Sequence, residues 1–267
     1  MALTDITLGQ FYPADSVIHK MDARTKILGT LLFLVSLFLI DNIWGFVFAF
    51  AFLIACVVIS KVPFKFITKG LKPILFILIF TMIINMLSVS GKVLVSFWVF
   101  NITEEGIFKA IFMGARLVLL LLGSSLLTLT TKPINLTDGL EKGLGFLKVL
   151  KVPVHEISMM MSIALRFIPI LVEETDKIMK AQQARGADFE SGGLIKKAKN
   201  LIPILVPLFV SAFRIAQDLA MAMEARCYRG GNNRTRMNEM KLKKRDAVAF
   251  VLEAIFLAVF ILDRIYF

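Results

Sequence analysis

The stretch ILGTLLFLVSLFLIDNIWGFVFAFAFLIACVVI, residues 27–59, contains two apolar runs that only Asp41 and Asn42 separate. A helix that crosses a bilayer needs about 20 mostly apolar residues. The second run has this length. The first is shorter and reaches it by extending back over Arg24 and Lys26, whose long side chains can snorkel to the interface. The stretch therefore predicts a helical hairpin in a membrane, with a tight turn at Asp41-Asn42.

The composition of the whole chain agrees with this prediction. Of its 267 residues 57% are hydrophobic, and the mean hydropathy is +0.77. Soluble domains are about 45–50% apolar, so we expect an integral membrane protein. The N-terminus lacks the basic segment and cleavage site of a signal peptide. Two distant cysteines and two distant histidines predict neither a disulfide framework nor a metal site.

Further apolar runs follow along the chain. The segment 93–102 is too short to span and is expected to be an interfacial or strand-like loop, in which Trp98 suits the membrane interface. We predict an all-α polytopic membrane protein with about five transmembrane helices, near 27–40, 43–59, 73–89, 107–131 and 247–262.

The charges change character between residues 133 and 245. This segment carries 19 of the 31 Lys and Arg residues, together with 11 Asp and Glu. Basic residues also precede the first predicted span and fill the loop between the second and third, which places these loops on the cytoplasmic side. We therefore predict a membrane domain over 1–132, a cytoplasmic domain over 133–245 and a last transmembrane helix in 246–267. The N-terminus is expected in the cytoplasm.

Two long helices are expected inside the cytoplasmic segment, over 154–185 and 201–226. Both become polar toward their C-terminal ends, and we judge them too polar to cross a bilayer. Gly186 directly follows the first helix, where a left-handed residue commonly ends a helix. The prediction is a pair of amphipathic helices whose apolar parts pack against the membrane or against partner proteins.

The two helices end in variants of one motif, AQQARGADF at 181–189 and AMEARCYRG at 222–230. An arginine in a last helical turn is ordinarily explained by its attraction to the helix dipole, and alanine by its helix propensity. Two copies at the ends of two long helices favour a further role. Small residues let another backbone approach, and an arginine fork suits acidic side chains and carbonyls.

These motifs resemble those of the transmembrane T component of energy-coupling factor vitamin importers, a bacterial branch of the ATP-binding-cassette machinery. The resemblance rests on Ala184-Arg185-Gly186, on Ala225-Arg226-Cys227 and on the N-terminal stretch FYPADSVIHKMDARTKIL, residues 11–28. It extends over essentially the whole chain. Cys227 departs from the glycine of the family pattern, which places the end of the second helix in question and suggests that Gly230-Gly231 ends it instead.

The resemblance implies a coupling scaffold in the bacterial cell membrane. Arg185 would dock into one cytoplasmic ATPase subunit and Arg226 into another, and the long helices would pass ATP-driven motion to a small membrane subunit that binds the substrate. That subunit could be one of several interchangeable ones. The chain itself would have no catalytic residue, no metal and no cofactor, since ATP and Mg²⁺ would bind to the partner ATPases.

Other residues carry open alternatives. The run Met159, Met160, Met161, followed by Leu165, is either ordinary packing or an adaptable surface for the substrate-binding subunit. Arg116 in the fourth predicted span is expected to make an interior structural contact. For the N-terminal cluster of His19, Asp22, Arg24 and Lys26, the resemblance implies a tie to the cytoplasmic helices.

Two other function classes fit the sequence less well. A self-sufficient secondary carrier usually has inverted repeats and broken helices, and neither is visible here. A membrane enzyme would need a nucleophile with a base, an acidic metal cluster or a phosphate-binding loop. Of these, only a metal site is suggested, by the two acids Asp138 and Glu141. Nucleic-acid binding is disfavoured because the positive charge lies where membrane topology places it, without aromatic stacking platforms.

Overall fold

A computed structural model describes residues 11–40, 42–97, 100–187, 189, 193–230 and 240–266. Asp41 and Trp98, which the sequence analysis singled out, lie outside these ranges. The chain divides into two compact units. The larger unit comprises residues 9–143 and 239–267, and the smaller unit comprises residues 1–8 and 144–238.

Among the described residues of the larger unit, the regular elements are helices apart from one short hairpin. The hairpin pairs β1 (Val93–Phe97) with β2 (Phe100–Thr103) in antiparallel register, where the sequence predicted a strand-like loop. The helices are α1 (Ala23–Leu37), α2 (Ile43–Ser60), α3 (Phe64–Lys69), α4 (Leu75–Ser88), α5 (Glu104–Thr130), α6 (Pro133–Gly143) and α9 (Lys244–Tyr266).

The smaller unit is built from two long helices. A 3₁₀ segment, Leu144–Leu150, precedes α7 (Val154–Ala184), and α7 packs against α8 (Leu194–Ala225). The start of α8 lies seven residues before the predicted position at 201. The all-α prediction is confirmed for the described residues, with the hairpin as its exception.

Among the described residues, five helical segments are long and apolar enough to cross a membrane. They are 43–60, 64–88, 104–130, 154–184 and 199–225. Three of them correspond to predicted spans, those near 43–59, 73–89 and 107–131, whereas the predicted spans near 27–40 and 247–262 are not among them. The first predicted span, α1, has only 15 residues. The last, α9, carries charged residues at both ends and Glu253 between them. By length and composition, the judgement that α7 and α8 are too polar is wrong, because their polar ends follow sufficiently apolar N-terminal stretches.

Local capping explains where the helices of the larger unit begin. The Asp22 carboxylate accepts from the backbone N–H of Arg24 at 2.9 Å, and Asn42 accepts from Gly45 at 2.8 Å. Thr103 accepts in the same way from Gly106 at 3.1 Å. Such side chains satisfy N–H groups that the first turn of a helix leaves without partners.

The core of the larger unit is formed by α1, α2, α5 and α9 around a group of phenylalanines. The Phe256 ring of α9 lies 4.4 Å from that of Phe52 and 5.8 Å from that of Phe33, measured between centroids. Phe260, 1% exposed, extends the group. Aromatic pairs at these separations stabilise a core beyond the area they bury.

Two basic side chains join α1 and α5 in opposite directions. Lys26 of α1 donates to the carbonyl of Thr130, at the C-terminal end of α5, at 2.9 Å. Arg116 of α5 donates to the carbonyl of Ile40, just beyond the C-terminal end of α1, at 2.7 Å. Each cation thus satisfies a carbonyl at the negative end of the other helix. The interior role predicted for Arg116 is confirmed, whereas Lys26 does not snorkel: it is 8% exposed.

The remaining residues of the N-terminal cluster form a hydrogen-bonded network. Both oxygens of Asp246, at the start of α9, accept backbone N–H bonds at 2.8 Å, one from Asp22 and one from Lys243. Burial alone would raise the pKa of Asp22, but the bonds from Arg24 outweigh it and hold the pKa below its ordinary value. The cluster therefore ties the N-terminal segment to α9, and through Lys26 to α5.

His19 completes this network as a neutral imidazole. Burial lowers the pKa of His19, although the carbonyl of Tyr12 partly opposes the shift. Its Nε2 donates to that carbonyl at 3.0 Å, which leaves Nδ1 to accept from the Ser16 hydroxyl at 2.7 Å. Within the larger unit, these bonds order the chain that leads into α1.

We expect Lys26→Met and Arg116→Met each to lower the free energy of unfolding by about 1.5–3 kcal/mol, because each removes a charge-assisted hydrogen bond to a buried carbonyl. The two sites lie about 21 Å apart along the helices, so their effects should add. Thermal unfolding in detergent measures both effects. Lys109→Met, at an exposed position of the same helix, is the control. Equal midpoints for all three variants would contradict the cross-capping.

Candidate functional site

The ends of α7 and α8 have the same backbone geometry. In α7 the N–H of Gly186 bonds to the carbonyl of Gln183 at 2.9 Å, and that of Ala187 bonds to Gln182 at 3.0 Å. In α8 the equivalent pairs are Cys227 to Glu224 at 2.8 Å and Tyr228 to Met223 at 3.0 Å. This pair of bonds is the Schellman arrangement, which satisfies the last carbonyls of a helix. The two motifs are therefore equivalent in structure as well as in sequence.

The left-handed residue of each end follows its arginine. Gly186 has φ +88° and Cys227 has φ +55°. The suggestion that Gly230-Gly231 ends the second helix is wrong: α8 ends at Ala225, and Cys227 adopts the conformation that glycine takes in α7. The satisfied carbonyls offset the steric cost of a side chain in this region, which is about 1–2 kcal/mol.

Arg185 and Arg226 are each the last residue before the left-handed position. Their φ and ψ values are nearly the same, −86° and 5° for Arg185 and −91° and 11° for Arg226. Both arginines are exposed, as are Ala184, Ala225 and the two left-handed residues. Within the described part of the chain, neither guanidinium has an acidic partner. Each helix thus ends in an exposed guanidinium next to an exposed alanine, Ala184 or Ala225.

A proline pair in α8 creates the contact that positions the end of α7. Pro207 has no N–H and leaves the carbonyl of Pro203, four residues earlier, without its helical donor. The side-chain amide of Gln182 donates to this carbonyl at 3.4 Å, a long hydrogen bond. Gln182 belongs to the first arginine motif, so the motif lies beside the proline-containing part of α8.

This contact also sets the separation of the two arginines. Arg185 lies about one turn beyond Gln182 in α7 and is therefore close to the contact with Pro203. Arg226 lies at the other end of α8, about 34 Å beyond Pro203 at 1.5 Å per residue. The two guanidinium groups are therefore on the order of 30 Å apart. One binding pocket cannot hold both, so the motifs suit two separate partner sites.

The predicted methionine surface is only partly exposed to solvent. Met160 and Met161 are 58% and 42% exposed, whereas Met159 and Leu165 are half-buried. α8 has a larger apolar surface, which the sequence predicted only as the apolar part of an amphipathic helix, without its residues. Seven exposed side chains recur there at intervals of about four residues. The spacing was visible in the sequence. These residues, the α8 stripe, are Leu201, Ile202, Leu205, Val206, Phe209, Val210 and Phe213.

Glu253 of α9 is a residue that sequence reasoning missed. It interrupts an apolar run, which is the signal that could have revealed it. A side chain at Gly29 of α1 would collide with its carboxylate, so Gly29 provides the space that Glu253 occupies. Among the described residues, Oε2 of Glu253 has no hydrogen-bond partner, and no group of three or more His, Cys, Asp or Glu could hold a metal.

We expect Cys227→Gly to stabilise the end of α8 by up to about 1 kcal/mol. The substitution removes the steric cost of a side chain in the left-handed region, and this gain exceeds the conformational entropy that the added glycine loses on folding. Gly186→Ala should weaken the end of α7 by about the same amount. Hydrogen exchange of the two capping amides measures both effects. Faster exchange at Tyr228 in Cys227→Gly would contradict the capping role.

Comparisons with known proteins point the same way as the motifs. Residues 14–237 match the family described as CbiQ, cobalt transport protein. The chain is similar to the energy-coupling factor transporter transmembrane protein EcfT of Clostridium kluyveri, with 54% identity over 99% of this chain and 98% of that protein.

Two further proteins of the same printed name are similar over nearly their whole lengths. The one from Ruminiclostridium cellulolyticum is 51% identical, covering 99% of this chain and all of that protein (100%). The one from Bacillus subtilis is 46% identical, covering 93% and 94%. With this identity, and with the family match over most of its length, the chain belongs to the CbiQ family, the transmembrane components of energy-coupling factor transporters.

Proposed function

We propose that the chain is the coupling scaffold of an energy-coupling factor importer. In this role it joins two cytoplasmic ATP-binding-cassette ATPases to a small substrate-binding membrane subunit and transmits ATP-driven motion for micronutrient uptake. The observation that carries the proposal is the pair of equivalent helix ends, each with an exposed arginine. A single exposed arginine would be ordinary, but two identical caps at separate positions suit two related partners.

The chemistry of each helix end favours a protein socket with acidic or carbonyl groups. A guanidinium offers five donors in a planar fork and pairs well with a carboxylate in a groove. The uncovered alanine beside it lets the wall of that groove approach closely. The hydrogen-bonded cap holds the arginine backbone in one conformation, so little order is lost when the side chain docks.

The lengths of α7 and α8 are compatible with ends that project into the cytoplasm. The helices have 31 and 32 residues, about 46 and 48 Å, which exceeds the roughly 30 Å of a hydrocarbon core. Their polar C-terminal ends can therefore lie in water while their apolar parts contact lipid or protein. We place both arginine ends, the N-terminus and the segment 133–245 on the cytoplasmic side, as the distribution of basic residues favours.

The substrate-binding subunit is proposed to bind the apolar surface of the long helices. The α8 stripe and the exposed methionines Met160 and Met161 offer an apolar face without a rigid pocket, and thioether side chains repack easily against different partners. Such a surface suits one subunit or several interchangeable ones.

The chain is proposed to be non-catalytic. Transport energy would come from ATP and Mg²⁺ bound by the partner ATPases, and this chain would contribute no cofactor. Its part is mechanical: a closing movement of the ATPases moves Arg185 and Arg226 with them, and the contact between Gln182 and Pro203 passes a movement of one helix to the other.

One observation favours a second candidate, a self-sufficient secondary carrier. Glu253 is an acidic residue inside an apolar helix, and such residues often belong to proton or ion pathways. Reconstitution of the chain alone distinguishes the two functions. A carrier moves a solute without ATPases and loses this activity in Glu253→Gln, whereas a scaffold is inactive alone.

We expect the double variant Arg185→Glu with Arg226→Glu to abolish ATP-driven uptake and to lose both ATPases in a pull-down, because each socket would face a repelled charge. Each single variant should be milder, since the other end still holds its ATPase at high effective concentration. Copurified ATPase and uptake in whole cells measure the effects.

Two controls separate docking from helix stability. Lys180→Glu changes the charge of the exposed residue directly before the first motif and should leave uptake normal. Arg185→Gln with Arg226→Gln removes the fork without placing an anion at the helix end, and it should still lose the ATPases. Normal uptake by the double glutamate variant at normal expression would refute the docking role.

A further inference from the structure

The link between α2 and α4 carries four exposed lysines, Lys61, Lys65, Lys69 and Lys72, which we call the lysine patch. The segment 61–74 contains neither an acidic residue nor an arginine. Within the described part of the chain, none of the four ammonium groups has an acidic hydrogen-bond or ion-pair partner. The patch therefore presents unneutralised positive charge.

The position of the lysine patch along the chain favours the surface of the bilayer. α2 and the segment 64–88 are both apolar enough to cross a membrane. Lys61 lies between them, and Lys65, Lys69 and Lys72 lie in the first turns of the second segment, before its long apolar run. α3 is fixed to the protein by Ile67, which is 0% exposed and belongs to the core. A short helix in this position lies close to lipid headgroups.

The neighbouring N-terminal segment adds to the positive surface. The Tyr12 ring lies 5.2 Å from that of Phe66 in α3, and Lys132 lies 5.5 Å from the Phe11 ring. The acid Asp15 is paired with Lys20. The hydrogen bond from Lys20 and, to a smaller extent, the charge of Lys61 hold the pKa of Asp15 below its ordinary value. The Asp15 carboxylate is thus paired mainly with Lys20 and not with the lysine patch.

Exposed rings alternate with the lysines of α3. Phe64 and Phe66 are 49% and 41% exposed, and the Lys69 ammonium lies 5.6 Å from the Phe66 ring. Rings in this position can enter the boundary between headgroups and acyl chains, while the lysines extend toward phosphates. A surface of apolar rings and cations complements an anionic leaflet, in which negative headgroups cover apolar acyl chains.

We propose that the lysine patch binds the headgroups of anionic phospholipids, such as phosphatidylglycerol, in the leaflet that contacts α3. The absence of arginine favours lipid over an acidic protein surface, because lysine acts as a flexible point charge on mobile phosphates, whereas arginine is preferred for carboxylates in fixed positions. Each lysine near an anionic surface strengthens binding by about fivefold. The proposal is independent of the function proposed above.

The test uses the purified full-length chain in mild detergent, titrated with phosphatidylglycerol or with phosphatidylcholine of the same acyl chains. Native mass spectrometry measures bound lipid. We expect wild type to prefer phosphatidylglycerol, and K65Q/K69Q to bind it about 30-fold more weakly, with no change for phosphatidylcholine. The preference should also fall as salt increases.

The control is K177Q/K180Q, which removes two exposed lysines from α7 and should keep the preference. If K65Q/K69Q does not fold, K61Q/K72Q provides the same test on the same patch. An unchanged preference in the patch variant, or an equal loss in the control, overturns the proposal. A patch variant that keeps its lipid but loses copurified protein also overturns it and assigns the surface to a protein.

Discussion

Lys26 and Arg116 bond to carbonyls at each other's helix ends, and the larger unit is arranged around this exchange. The two bonds lie about 21 Å apart and fix α1 antiparallel to α5 in one register. Phenylalanines of α2 and α9 pack against Phe33 of α1, and Phe46 of α2 packs against Phe112 of α5. Each cation is placed where a helix end attracts positive charge, which reduces the cost of keeping it away from water. A helix of only 15 residues is thereby held firmly among longer ones.

The smaller unit uses backbone hydrogen bonds for a similar purpose. Its two caps leave Arg185 and Arg226 in nearly the same conformation, although the residue that follows is glycine in one and cysteine in the other. The prolines of α8 leave a carbonyl to which Gln182 donates, so the N-terminal part of α8 and the end of α7 are in contact. The smaller unit thus combines a contact between its two helices with two exposed arginine ends.

The sequence predicted most helices because apolar periodicity and capping residues are local signals. It located α2, α4, α5 and α7 within a few residues, and it singled out both arginine motifs. It failed where the outcome depends on distant contacts. The sequence predicted that Lys26 reaches the membrane interface, because it does not reveal that Lys26 bonds to a carbonyl of α5. It also predicted that Cys227 does not end a helix, because it does not reveal the two backbone bonds of this cap. The α8 stripe and Glu253 were visible as patterns, but only the structure gives the exposure of the stripe and the neighbours of the acid.

The central claim is that both arginine ends face the same side of the membrane, and labelling of two matched cysteines tests it directly. Cys227 is native and exposed, and Gly186→Cys, combined with Cys227→Gly, places a thiol at the equivalent left-handed position of α7. A membrane-impermeant maleimide is applied to right-side-out and inside-out vesicles, with Cys56 replaced by alanine. The scaffold predicts that both thiols react only from the cytoplasmic face. Reaction of the two thiols from opposite faces would mean that α8 crosses the bilayer, and it would contradict the account.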